Sequence, residues 1–205
     1  MDANSFQFLA LIQARRGHLP EAEAAIRRAL DIRPTYAYGH YYLGLCLLER
    51  GNRDAPLLEM EQETTDDGKQ AGLAIVYYAL GRREESDVAL ARLVKERADV
   101  DAFMVAAVFA QRGQSDEAMH WLERAYVQKD AGLFSVKFDF PLKNLEQDLR
   151  YKAFLKKMNL PEKWRQSTIF RSAASRGESL RSRAGCSLAG QTHRRARCVI
   201  GWSSW

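Results

Sequence analysis

Few residues in this chain have the side chains and spacing that chemistry requires. Its histidines are His18, His40, His120 and His193, and no two stand at the four-residue spacing that presents a metal-binding pair on a helix. Cys186, His193 and Cys198 are the one mixed group of ligand types, but their gaps of seven and five match no usual zinc spacing. The Ser, Gly and Arg around them form no packable core. Cys46 lies inside an apolar run, where a free thiol acts as a small hydrophobe. No Gly-rich phosphate loop, Cys-x-x-Cys or nucleophile elbow occurs. The acidic pairs Asp66-Asp67 and Glu84-Glu85 read as solvated helix faces, since acid–base work needs carboxylates in a shaped pocket. The sequence therefore predicts no catalytic residues, no metal and no cofactor, and function has to come from surface.

The elements that position such a surface are legible. From Gln111 to Ala125 an apolar helical run ends at Gly113, a polar turn follows, and a second helix begins near Asp116 with Ala118, Leu122 and Ala125 on one face. The same pattern recurs around Gly17, Gly51 and Gly81, and successive glycines are 34, 30 and 32 residues apart. A period near 34 with two helices per unit marks a helical repeat array. Helices are predicted over 3–16, from Pro20 to about Asp31, and over 36–50, 54–63, 68–80, 84–97, 100–112 and 116–128. Residues 136–142 read as extended or tightly turned, bringing Phe138, Phe140 and Leu142 onto the last hairpin, and a closing helix is predicted at 147–158. Trp121 reads as a core aromatic, and His40 as lying on the packing face of its helix. The weakest helix is 54–63: Pro56 has no donor, and Glu63 stands where a small apolar residue is expected. Residues 52–68 are therefore expected to open first, as a hinge, and Glu63→Ala to stabilise.

Charge divides the chain. Of its net +5, residues 162–205 carry +7, from nine Lys or Arg against Glu162 and Glu178, leaving −2 for the rest. The repeat region has no field suited to nucleic acid, whereas the tail reads as a disordered basic arm that touches nucleic acid or an acidic surface, or as a segment without a selected role. An odd cysteine count, no basic leader and no long uncharged run predict a cytoplasmic protein without membrane insertion. The expected domains are 1–161, with units at about 3–34, 37–66, 67–98 and 99–130 and a cap at 131–161, and then the tail.

The repeat residues resemble the tetratricopeptide repeat family. Unit one matches at Leu9, Ala10, Gly17, Ala22, Ile26, Ala29 and Pro34, and unit four at Val105, Ala106, Phe109, Gly113, Ala118, Leu122 and Ala125. Unit three matches at Leu73, Ala74, Tyr77, Gly81 and Leu90, with Ser86 for the small Ala; unit two matches at Leu43, Gly44 and Gly51 but departs at Pro56 and Glu63. The runs 121–126, 130–132, 139–142 and 154–161 look like the C-terminal end of many bacterial multidomain regulators. The resemblance implies an all-α, right-handed α-solenoid of helix-turn-helix repeats with a C-terminal capping helix. It further implies a protein- or peptide-binding scaffold that is not an enzyme, the alternative being a regulatory fragment acting through its basic tail. The first helix of each pair would line the concave face, with contact residues Asn4, Gln7, Leu11, Arg15, Tyr38, Tyr41, Leu45, Glu49, Ala71, Ile75, Tyr78, Phe103, Ala107 and Gln111.

Overall fold

The computed structural model describes residues 2–160; the tail read at 162–205, with Cys186, His193 and Cys198, lies outside them. Among the described residues all regular structure is helical: α1 Ala3–Arg15, α2 Leu19–Ile32, α3 Gly39–Glu49, α4 Ala55–Gln62, α5 Asp66–Ala79, α6 Arg83–Arg97, α7 Ala102–Gln111, α8 Ser115–Gln128 and α9 Leu149–Lys157. Two 3-10 helices, Ala131–Ser135 and Phe140–Leu145, join α8 to α9. None of these helices is long and apolar enough to cross a membrane.

Successive helices pack in adjacent pairs, α1 with α2, α3 with α4, α5 with α6 and α7 with α8, and α5 touches both α3 and α7. Each pair turns at a glycine. Gly17, Gly51, Gly81 and Gly113 have φ between +73° and +83°, a conformation that costs a residue with Cβ. The amide after each glycine donates back five residues, as His18 to Gln13, Asn52 to Leu47, Arg82 to Tyr77 and Gln114 to Phe109. These bonds satisfy carbonyls that a helix end leaves open.

A second recurring device closes each pair from its far end. A residue just beyond the second helix, or a few positions on, reaches back to the start of the first. In pair one, the Tyr36 hydroxyl donates to Asn4 Oδ1 at 2.6 Å. In pair two, Glu63 accepts from the amides of Tyr38 at 3.2 Å and Tyr41 at 2.9 Å, capping α3. In pair four, Asp130 accepts from the Phe103 amide at 2.9 Å. In pair three the residue reaching back is Asp101, and it meets another acid, Asp67 in the first turn of α5.

The hinge expected at 52–68 is corrected by this packing. Glu63 is buried and also accepts from the Thr64 and Thr65 amides and the Thr65 hydroxyl, all at 2.9 Å. Met60 is fully buried in α4, and Gly44 and Gly72 leave the space for its thioether between α3 and α5. Pro56 falls in the first turn of α4, where a missing amide proton is harmless. Short as it is, α4 is held at both ends.

The segment between α8 and α9 does more than cap the last pair. Both 3-10 helices pack on α7, and the second also reaches α1. Arg15 donates to the Asp139 carbonyl at 2.5 Å and pairs with Glu146 at 3.0 Å. Gln111 donates to the Pro141 carbonyl at 2.8 Å, and Phe140 lies 6.1 Å from the Tyr42 ring. Leu142 and Leu145 are fully buried. Trp121 is only partly buried, with the Arg124 guanidinium 4.9 Å above its ring.

Candidate functional site

Because residues 131–145 lie against α1 and α7 and reach Tyr42 of α3, the fourteen contact residues do not form one continuous face. Tyr41, Leu45, Ala71 and Ala107 are buried at 1% exposure or less, and Arg15 is engaged by the segment's own carbonyl and by Glu146. The four present no surface to a partner and Arg15 is already paired, a correction to the expected binding face. Apolar side chains of α7 are core because the 3-10 segment lies against that helix, and those of α3 and α5 because these helices pack on one another and on α7. His40 is half-buried and bonded through Nδ1 to Glu59 at 2.7 Å, a contact between α3 and α4.

The other nine flank two clefts. Glu49, Ile75, Tyr78 and Gln111 border a mostly polar one with Arg53, Arg83 and Asn144. There the Arg83 guanidinium stacks 3.4 Å above the Tyr78 ring, so the tyrosine face is already taken. Asn4, Gln7, Leu11, Tyr38 and Phe103 border the other, a mostly apolar cleft of about 600 Å³. It lies where α1, the 33–38 turn, the α6–α7 connection and the first 3-10 helix converge.

Six aromatic side chains line this second cleft: Phe8, Tyr36, Tyr38, Tyr42, Phe103 and Phe134. Phe8 and Phe134 stand exposed at its mouth, with rings 6.0 Å apart and both edge-on to Phe138. Tyr38, with φ 61°, stands at the start of α3, and its hydroxyl donates to Asp67 at 2.5 Å. Five of the lining residues sequence reasoning missed (Phe8, Arg33, Tyr36, Arg97 and Phe134) lie on an exposed helix face, a helix end or a connection, where periodicity carries no signal. Asp101 was missed because its role depends on a distant acid.

The charged groups nearly cancel one another. Burial pushes the Asp101 carboxyl up to about 8, helped by its bond to Asp67 and the charges of Asp67 and Asp130. Burial works against Asp67 too, but the proton on Asp101, the Tyr38 hydroxyl and the Arg97 charge outweigh it and hold Asp67 below its ordinary value. The pair thus shares one proton at neutral pH. Both oxygens of Asp130 are taken by amides, of Phe103 at 2.9 Å and Gly132 at 2.8 Å. Arg97 offsets Asp67, while Arg33 sits over the Tyr36 ring at 5.6 Å.

This arrangement suits apolar and aromatic groups and offers the amides of Asn4 and Gln7 for hydrogen bonding. Among the described residues no group of three His, Cys, Asp or Glu side chains is placed to hold a metal ion. No protein-family model matches the chain, and no curated protein matches it.

Proposed function

We propose that this chain is a helical-repeat binding module, an α-solenoid of the tetratricopeptide kind, whose partner is a protein or peptide segment. The observation that carries the reading is the cleft of about 600 Å³ lined by six aromatic rings with almost no unbalanced charge. Rigid aromatic walls give large contact area at little entropic cost, which is why such side chains dominate binding hot spots. Asn4 and Gln7, one turn apart on α1, face the backbone of a segment laid across the mouth. Near-neutral walls favour Leu, Met or aromatic side chains in the partner over charged ones, because a charge entering this cleft would be desolvated without a counter-ion.

Selection of a displayed peptide library on the full chain tests this. Selected peptides should be rich in large apolar residues, and Phe134→Asp at the exposed mouth should weaken them about tenfold or more, the loss of roughly one hot-spot contact. Peptides that bind Phe134→Asp and Gln7→Ala as well as the original chain would overturn the proposal.

A further inference from the structure

Of the four closures that bind the end of a pair to its beginning, three join a donor to an acceptor and one joins an acid to an acid. Two carboxyl groups can hold each other only while a proton lies between them. That third closure stands at the cleft: Asp101 and Tyr38, which holds the other side of Asp67, both line it. Asp101 is also the residue from which α7 starts, immediately before the buried Ala102 and Phe103. We infer that the Asp67–Asp101 pair is a proton-operated latch on the cleft, which keeps the cleft formed while the two acids share a proton and releases its wall when they do not.

The surroundings leave the latch no substitute for that proton. The groups facing it are Tyr38, Arg97, Asp130 and, further in, Tyr41. Both tyrosines are pushed well up by burial, so they stay neutral wherever the latch works. Asp130 adds a like charge. Arg97 is the cation that faces the latch among the described residues, and its Nε, though buried, has no hydrogen-bond partner. It can balance one carboxylate, and Asp67 already takes that role. A second negative charge on Asp101 therefore meets Asp67 and Asp130, and the Met104 amide that favours its ionised form is outweighed by burial and those two charges. Asp101 is half-buried and has an exit to water, carrying the start of α7 and the Phe103 wall with it.

The sign follows directly. Asp101 keeps its proton in the folded chain up to about pH 8, far above the 3.8 of a free aspartate. The Asp101 contribution to the closed form is thus fully present below about pH 4 and is lost as pH rises through about 8, whereas that of Asp67, held below its ordinary value, is lost only in acid. A ligand that needs the closed cleft should bind with an affinity that falls by up to about tenfold per pH unit above that point.

This regulation rests on the cleft being the binding site, so the test has two independent arms. The first is carboxyl carbon-13 NMR of the full chain from pH 4 to 10. One of the Asp67–Asp101 carboxyls should titrate near pH 8, and Asp67→Asn should return Asp101 toward the ordinary aspartate range. Ordinary titration of both acids would overturn the latch, whatever the cleft binds. The second arm uses 8-anilinonaphthalene-1-sulfonate, whose charge is constant over pH 6–10, as the probe, with its loss in Phe134→Asp assigning it to the cleft. Dye release should follow the NMR midpoint in the original chain and lose its pH dependence in Asp101→Asn, whose amide donates to Asp67 at every pH. Release that is equally pH-dependent in Asp101→Asn would overturn the gate. Shared-proton titration with no dye held at the cleft would remove both the gate and the use of this cleft for apolar groups.

Discussion

Glu63 illustrates how a residue read as a misfit becomes a fastener. Its carboxylate accepts from the Tyr38, Tyr41, Thr64 and Thr65 amides and from the Thr65 hydroxyl, so one side chain satisfies the start of α3 and the turn leading into α5. Removing the acceptor leaves buried donors unpaired, which costs more than the bonds themselves contribute. Glu63→Ala should destabilise by about 2–3 kcal/mol, and Glu63→Gln by about 1 kcal/mol because one oxygen remains. Denaturant unfolding at pH 7 measures both; an alanine variant as stable as the original would mean the cap is not formed. Met60 is the second fastener at this scale. It fills a space that Gly44 and Gly72 leave open, so Met60→Ala should cost about 2–5 kcal/mol, in the range for buried large-to-small changes. If Met60→Ala costs under 1 kcal/mol, α4 is the loose helix that its sequence suggested.

At the scale of elements, the same turn and the same closure recur with different residues in the closing role. Tyr36, Glu63, Asp101 and Asp130 are not one residue type across the four pairs, yet each ends at the opening of the helix that begins its unit. This explains which parts of the fold were legible. Gly17, Gly51, Gly81 and Gly113 could be read because a left-handed backbone narrows the choice to glycine, and helix bounds followed from them within a few residues. The closures could not, because a tyrosine, a glutamate and two aspartates carry out the task through contacts 22 to 34 residues away. The site was legible only in part, and for a related reason. Asn4, Gln7, Leu11, Tyr38 and Phe103 do border the cleft. Tyr41, Leu45, Ala71 and Ala107 do not, because nothing local in α3, α5 or α7 reveals how closely these helices pack on one another or that residues 131–145 return to lie against α7 and α1. Burial on α7 is decided in part by a segment whose own pattern of Phe138, Phe140 and Leu142 announces apolar packing but not its destination.

At the scale of the whole molecule, that returning segment ties the last pair to the first through one buried acid. Asp139 is 1% exposed, and neither carboxylate oxygen has a hydrogen-bond partner of normal geometry. Burial pushes its carboxyl up to about 7, while the Arg15 charge and the Tyr42 and Ser135 hydroxyls resist without closing a bond; the Ser135 proton goes to the Gly132 carbonyl at 2.8 Å. The folded chain therefore holds a proton that the unfolded chain releases near pH 4. The stability this protects is fully present below about pH 4 and is lost as pH rises through about 7. A rise of about three pKa units on a fully buried group sets the scale of the loss at roughly 2–4 kcal/mol. Asp139→Asn keeps the shape without the charge, so it should unfold at higher denaturant than the original chain at pH 8 and nearly with it at pH 4. Arg15→Met should act the opposite way, removing a positive charge that moderates Asp139 as well as the tie to the Asp139 carbonyl, so its deficit should widen from pH 5 to pH 8. Urea midpoints for the three chains at pH 4, 5, 6, 7 and 8 decide the matter. Parallel curves for Asp139→Asn and the original chain would mean that Asp139 is ionised in the folded state with a counter-charge close enough to compensate its burial.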